Sequence, residues 1–212
     1  MAGDHKIQLF ELTRQILEKI PPAQRFSAQD AALFAAHRDL LCGLEDELVQ
    51  GFYDTIDSHA PMHAVISHGA RSERENTLRH WWQRTTRGEF DDQYWAWQAL
   101  IGLAHIKSGV KNQMMLVMWN WTTAWLRQRL AHTDTPAGLQ AAQLVESFER
   151  LALTAQCLTA ESYTENYLET VTRITGFKPA LLQRMASTEI DRLLAEARQE
   201  LGLVQTGAAV PA

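Results

Sequence analysis

The sequence has few cysteines, little net charge and no long apolar run. Of its 212 residues two are cysteines, Cys42 and Cys157, and neither lies in a C-x-x-C or C-x-x-C-H pattern, so motifs of structural zinc and of covalent cofactor attachment are missing. No apolar stretch reaches the roughly 20 residues of a membrane-spanning helix, and the first residues do not form the core of a signal peptide. The formal net charge is -5 and the basic residues are scattered, which argues against a nucleic-acid surface. We therefore expect a cytoplasmic protein without membrane insertion and without a nucleic-acid partner.

Strand signals are also scarce, whereas helical periodicity recurs along the whole chain. With 46% hydrophobic residues the chain can bury one packed core. The pattern predicts an all-α fold with helices over about 4–20, 28–56 with a break near Cys42 and Gly43, 62–66, 72–86, 92–108, 111–132, 136–175 and 179–201. The helix over 136–175 contains no breaker, so we expect it to kink or to protrude into a partner subunit.

Local signals mark the ends of several of these helices. Ser27 with Asp30, and Ser72 with Glu75, have the spacing of capping boxes. Gly109 stands where the predicted helix over 92–108 ends.

One histidine, His105, lies in an apolar helical run, Leu100–Val110, beside residues with little or no side chain. The residues that share its helix face are Ile101, Gly102, Ser108 and Gly109. An imidazole next to glycine and serine leaves room for a broad planar group, and a haem iron takes one axial imidazole. The alternative is a core histidine hydrogen-bonded to a carbonyl, because most metal sites contain several protein ligands.

All seven tryptophans lie on the predicted helices just before, containing and just after His105. They are Trp81, Trp82, Trp95, Trp97, Trp119, Trp121 and Trp125. Aromatic walls suit a large flat cofactor, but ordinary core and interface packing is the favoured explanation.

Other chemistry-bearing patterns are weak. His59, His63 and His68 cluster after the predicted helix that ends near residue 56, but their spacing fixes no tetrahedral set, so solvated loop histidines are favoured over zinc. The sequence contains no catalytic triad order, no phosphate-binding glycine loop and no nucleotide fingerprint. Any catalysis would therefore have to come from a bound cofactor.

Two segments are similar to the motifs of one family. Leu48–Asp54 (LVQGFYD) resembles a segment with the pattern hydrophobic-x-x-Phe-Tyr-Asp/Lys, and Ile101–Val110 (IGLAHIKSGV) resembles one with the pattern Ile-x-x-x-His-x-x-x-Gly-Val/Leu. Tyr53 and His105 lie 52 residues apart, which also fits. Over about residues 4–175 the chain thus resembles the globin-sensor family of protoglobins, globin-coupled sensor domains and their single-domain relatives.

The resemblance implies a globin-like fold with an extra N-terminal helix and an additional C-terminal helix, binding one haem b (iron protoporphyrin IX). In that family pattern His105 is the proximal iron ligand, and Tyr53 is the distal tyrosine that hydrogen-bonds a bound gas. The remaining implied haem neighbours are Arg74, Thr77 and Leu78 on the distal helix, and Gly102 and Gly109 beside His105. Arg74 stands where an apolar residue is common in the family. Its side chain could pair with a haem propionate or control the entry of a ligand, but a solvated arginine is the favoured interpretation.

The resemblance also implies a domain organisation and partners. Residues 1–176 would form the haem domain, 177–202 an amphipathic helix and 203–212 a disordered tail, which leaves no room for a signalling module after the globin part. The helices at 111–132 and 136–175 resemble the dimer interface of the family. We therefore expect a homodimer whose output, if any, passes to a signalling protein in trans.

The implied function is reversible binding of a diatomic gas (O₂, NO or CO) at a five-coordinate iron, as a sensor or carrier rather than an enzyme. Two alternatives stay open. One is a haem enzyme, such as an NO dioxygenase or a weak peroxidase, that takes electrons from a reductase in trans. The other is a haemless globin-like scaffold in a signalling assembly.

Overall fold

The structure is a computed structural model that describes residues 8–67, 69–131 and 138–203. These residues form ten α-helices and no β-strand, which confirms the all-α prediction. The helices are α1 (Leu9–Lys19), α2 (Ala28–Ala36), α3 (Arg38–Gly43), α4 (Glu45–Asp57), α5 (Ala60–Ile66), α6 (Arg71–Thr86), α7 (Asp92–Ser108), α8 (Asn112–Ala131), α9 (Gly138–Thr175) and α10 (Pro179–Glu200).

Two of the three predicted helix-end signals are confirmed. Ser27 Oγ accepts the main-chain N–H of Asp30, and Asp30 Oδ2 accepts the main-chain N–H of Ser27 at 2.8 Å, which completes the capping box of α2. Gly109 ends α7 with a φ of 73°, a left-handed conformation that a glycine adopts without strain.

The predicted capping box at Ser72 is wrong. Helix α6 begins at Arg71 after Ala70, and no side chain caps its first turn. Glu75 does not reach back to the main chain, because its carboxylate accepts Arg71 Nε at 2.7 Å. Glu75 therefore takes part in an ion pair with Arg71 instead of capping the helix.

The predicted breaks differ in number from those observed. The chain turns at Gly43 between α3 and α4, as predicted, and it also turns at His37 between α2 and α3. Helix α9 runs over 38 residues without an interruption, and its protrusion into a partner remains a prediction. The predicted helix starts at residues 4 and 136 and the tail over 204–212 lie outside the described residues.

The main core is aromatic and lies between α2, α6, α7 and α9. Its fully buried members include Phe34, Trp82, Tyr94 and Phe148. Trp82 Nε1 donates to the main-chain oxygen of Leu41 at 2.8 Å, so even the polar edge of this ring is satisfied. Burial of such large rings removes much apolar surface from water and so stabilises the fold.

A buried ion pair joins α2 to α9. Asp30 is 2% exposed, and it accepts hydrogen bonds from Ser147 Oγ at 2.7 Å and from Arg150 Nε at 3.1 Å. Burial by itself would raise the pKa of Asp30, but hydrogen bonds from Arg150, Ser27 and Ser147 outweigh it and lower the pKa to about 2. Asp30 is therefore ionised at neutral pH and holds the two helices together.

The chain divides into two compact units, residues 1–166 and 167–212. The predicted domain boundary at Gly176 falls at the end of α9, whereas this division lies within that helix. In the second unit, α10 has no buried residue. No helix in the described part of the chain has a stretch long and apolar enough to cross a membrane.

Candidate functional site

A small apolar cluster surrounds Tyr53 in the first unit. Tyr53 lies on α4 and is 8% exposed. The cluster around it, called here the Tyr53 cluster, consists of Val49, Tyr53, Ile56, Met62 and Met118, with Leu78 of α6 packed against it. The structure thus brings two of the predicted site residues, Tyr53 and Leu78, to the same place.

The hydroxyl of Tyr53 is already engaged. It donates to the main-chain oxygen of Arg74 at 2.8 Å and so ties α4 to the first turns of α6. Burial raises the pKa of Tyr53 to about 12, so the phenol is neutral at pH 7 and carries one hydrogen.

Arg74 lies against the ring of Tyr53. Its Cζ atom is 5.9 Å from the ring centroid, a cation–π distance, and its Nη1 donates to the main-chain oxygen of Gly69 at 2.9 Å. Its Nε is buried and has no hydrogen-bond partner among the described residues. Thr77, by contrast, is exposed, and its hydroxyl donates to the main-chain oxygen of Glu73 at 3.0 Å.

His105 lies in the last turn of α7 and is half-buried. Its Nδ1 is buried, and no residue in the described part of the chain hydrogen-bonds it. Burial lowers the pKa of His105, so the imidazole is neutral at pH 7. The alternative of a core histidine that is bonded to a carbonyl through Nδ1 is therefore not what the structure shows.

Gly102 lies where α7 packs against α9. A Cβ atom on it would lie 2.6 Å from the main-chain oxygen of Thr159 and 2.8 Å from the main-chain nitrogen of Tyr163, both in α9. The missing side chain therefore lets α7 and α9 approach closely at that position. Gly109 closes α7 and has open space where a side chain would begin.

The tryptophans pack chiefly on one another and on the core. Trp81 and Trp119 meet edge to face at 5.3 Å between centroids, and Trp121 stacks on Trp125 at 6.2 Å. The explanation by core packing, which the sequence left open, accounts for these contacts.

The described part of the protein offers one histidine rather than a cluster of metal ligands, which suits a metal bound within an organic cofactor. The described residues contain no group of three or more histidines, cysteines or acids that could hold a bare ion. His63 pairs with Asp57 at 3.0 Å, and His68 lies outside the described residues. The single neutral imidazole of His105, with a buried nitrogen that lacks a partner among the described residues, would suit a haem iron, for which the porphyrin supplies the other donors.

Two polar features had no signal in the sequence. The amide of Gln98 on α7 is buried beside the hydroxyl of Tyr94. A polar cleft of about 320 Å³ lies at the corner between α6 and α7, with His80, Arg84 and Asp91 among its lining residues. Both depend on contacts between helices, which spacing along one helix does not predict.

The fold is that of a globin. The structure is similar to the globin domain of the Geobacter sulfurreducens globin-coupled sensor, with a TM-score of 0.62 and 19% sequence identity, and the match covers 71% of this chain and 96% of that one. A family model described as Protoglobin matches residues 17–169. The chain belongs to the Protoglobin family, which confirms the resemblance seen in the sequence. No match was found among curated proteins.

Proposed function

We propose that the protein is a haem-binding globin that reversibly binds a diatomic gas and acts as a gas sensor or carrier. Haem b, when bound, supplies an iron that accepts one imidazole and leaves one position for O₂, NO or CO. His105 would hold the iron, and Tyr53, Arg74 and Leu78 would stand on the gas side. The observation that carries the proposal is the neutral imidazole of His105, with its buried unpartnered Nδ1, in a chain of the Protoglobin family.

The environment of His105 prepares the imidazole for a metal. A histidine ligates through the neutral ring, and burial already favours that form because it lowers the pKa. A buried polar nitrogen without a partner costs about 1–3 kcal/mol, so the apo-protein carries a local penalty there. Such penalties are tolerated where a ligand or a small rearrangement of the site relieves them.

The Tyr53 cluster supplies the properties that a gas-binding side needs. Its aliphatic and thioether groups exclude water, and the Tyr53 hydroxyl and Arg74 guanidinium are the polar groups next to it. A diatomic gas is small and weakly polar, so an apolar pocket with few donors suits it.

We also propose a homodimer through the helices at 111–132 and 136–175. Helix α8 exposes Leu116 and Val117, which are 44% and 50% exposed, and α9 exposes Leu153 at 37%. These exposed apolar side chains on both helices support an interaction surface there. A signalling protein in trans and a cytoplasmic location complete the proposal.

Haem titration of the purified apo-protein tests the proposal. The wild type should develop a Soret band at one haem per chain, and His105→Ala should lose it or bind haem at least tenfold more weakly. Added imidazole should restore the band to the variant, because a free ring can occupy the space of the missing one. His80→Ala is the matched control: His80 is exposed on α6, with its ring 5.8 Å from that of Trp97, and its removal should leave the band unchanged. A wild type that takes up no haem would overturn the proposal.

A further inference from the structure

We propose that the polar cleft at the corner between α6 and α7 binds a small zwitterion, which is a molecule with one carboxylate and one ammonium group, such as a free amino acid. The inference goes beyond the proposed haem function, because the cleft lies at the start of α7 and His105 lies in its last turn. At about 1.5 Å per residue, the helix from Asp91 to His105 is about 20 Å long. The volume of the cleft, about 320 Å³, falls in the range of about 300–1,000 Å³ that is typical of small-molecule sites.

Arginines and carboxylates reach the cleft from different helices. Arg84 and Arg87 come from the end of α6, three residues apart and therefore on one face. Gly88 then turns the chain with a φ of 80°, a left-handed conformation that favours glycine. Glu89 follows, and Asp91 caps α7, where its Oδ1 accepts a main-chain N–H at 2.8 Å. The turn thus brings two carboxylates to the cleft from the side of α7.

Two aromatic rings hold Arg84 in place. Its Cζ atom lies 4.8 Å from the ring centroid of Trp97 and 6.0 Å from that of Tyr94, which are cation–π distances. Tyr94 is itself fully buried, and its hydroxyl shares a hydrogen bond of 2.9 Å with the hydroxyl of Thr85 on α6. A guanidinium that lies over a ring still presents N–H groups at its edge, and a carboxylate can bind two of them at once. Arg84 is therefore already ordered for a carboxylate.

The charges that line the cleft are not paired with one another. None of the ion pairs among the described residues includes Arg84, Arg87 or Glu89. Asp91 also takes part in none of these pairs, and its Oδ1 serves the cap of α7. Two guanidinium groups and two carboxylates therefore line one space without satisfying each other. A bound molecule that carries both charges can pair with both sides.

The mixture of charges selects the class of ligand. A phosphate or a dicarboxylate is repelled by Glu89 and Asp91, and a polyamine is repelled by Arg84 and Arg87. A zwitterion avoids both penalties when its carboxylate lies towards the arginines and its ammonium group towards the acids. Hydrogen bonds between charged groups are stronger than those between neutral groups, so each end of the ligand contributes to its affinity.

The test is isothermal titration calorimetry of the purified protein with three zwitterions, namely glycine, γ-aminobutyrate and L-glutamine, which differ in size and in the distance between their charges. At least one should bind with a Kd of about 1 mM or below. Its N-acetyl form, which lacks the ammonium charge, and its carboxamide form, which lacks the carboxylate, should each bind about fivefold more weakly or worse. The measurement needs no haem, so its failure is distinguishable from a failure of the haem titration.

Variants assign the two ends of the ligand. Arg84→Met removes the guanidinium but keeps an apolar side chain over Trp97, and it should weaken binding of the zwitterion about fivefold or more. Glu89→Gln should have a similar effect, and because Glu89 is exposed this variant leaves folding intact. The matched control is Arg38→Met, which removes an exposed arginine of α3 outside the cleft and should keep the affinity within about twofold of the wild type. Urea unfolding verifies that each variant folds.

Several results would overturn the inference. One is that none of the three zwitterions binds at concentrations up to about 20 mM. Equal affinity for the N-acetyl form would make the cleft an anion site, and equal affinity for the carboxamide form would make it a cation site. Unchanged affinity in both Arg84→Met and Glu89→Gln would place the ligand elsewhere on the protein. A loss in Arg38→Met as large as that in Arg84→Met would indicate a general effect of charge.

Discussion

Tyr53 of α4 donates its hydroxyl hydrogen to the main-chain oxygen of Arg74 of α6, 2.8 Å away. A gas that takes a hydrogen bond from Tyr53 must therefore compete with a helix carbonyl for the same hydrogen. The free-energy gain is the difference between the two bonds rather than the full strength of the new one.

This competition sets the expected effect of Tyr53→Phe on gas binding. A bond to a partly charged ligand contributes about 1.5–3 kcal/mol and a neutral one about 0.5–1.5 kcal/mol, so the net gain is about 1 kcal/mol. We expect O₂ to dissociate about fivefold faster from Tyr53→Phe, with the CO rate changed less than twofold, measured by stopped-flow ligand displacement. Equal acceleration for the two gases would show that Tyr53 acts only by filling space.

His105 should make the stability of the apo-protein depend on pH. Its folded-state pKa is lowered by burial below the ordinary value of 6.5, so the unfolded chain binds the proton more tightly. The free energy of unfolding should therefore fall as the pH drops below about 6.5, and this contribution should be absent above that pH. In urea titrations across pH 4 to 8, His105→Asn should show a weaker dependence than the wild type. Parallel profiles for the two proteins would contradict the burial of the imidazole.

Gly102→Ala should destabilise the protein by about 1–3 kcal/mol, because the added methyl group forces α7 and α9 apart. Chemical denaturation at neutral pH measures the change. Gly43→Ala is the control: nothing lies within 4 Å of the position of its Cβ, and alanine is the better helix former there, so stability should be unchanged or slightly higher. Full stability of Gly102→Ala would mean that the crossing is looser than the structure shows.

Acid should remove the contribution of the Asp30 ion pair. The pKa of Asp30 is lowered from 3.8 to about 2, so its ionised form stabilises the fold by about 2 kcal/mol above pH 5, and this is lost as the pH falls towards 2. The difference in unfolding free energy between the wild type and Asp30→Asn should narrow by that amount over this range. The exposed Asp39, replaced by Asn, should show no comparable narrowing. A difference that stays constant with pH would contradict the ionised pair.

Local patterns predicted the helices well, because periodicity and caps are properties of neighbouring residues. The capping box of Ser27 and the end of α7 at Gly109 are of this kind. The sequence failed where a contact from elsewhere decided the outcome: Arg71 is held by carboxylates from two helices, and one of them is the Glu75 that was expected to cap. The spacing of residues along one helix does not predict which side chains of another helix they will pair with.

The same distinction applies to the candidate site, where some features follow from local motifs and others depend on contacts between helices. His105 and Tyr53 could be named from their motifs, whereas the free Nε of Arg74 could not, because it depends on how α4 and α6 meet. The sequence also contained no sign that the small size of Gly102 lets α7 and α9 cross closely, because that contact joins distant parts of the chain.

The concentration of all seven indoles on α6, α7 and α8 gives the protein a built-in optical probe. These rings emit in the region where a porphyrin absorbs. They lie on α7, which carries His105, and on the helices before and after it. Binding of the proposed haem should therefore quench most of the intrinsic emission, and release of the haem should restore it. Occupancy can thus be followed in dilute solution without any label.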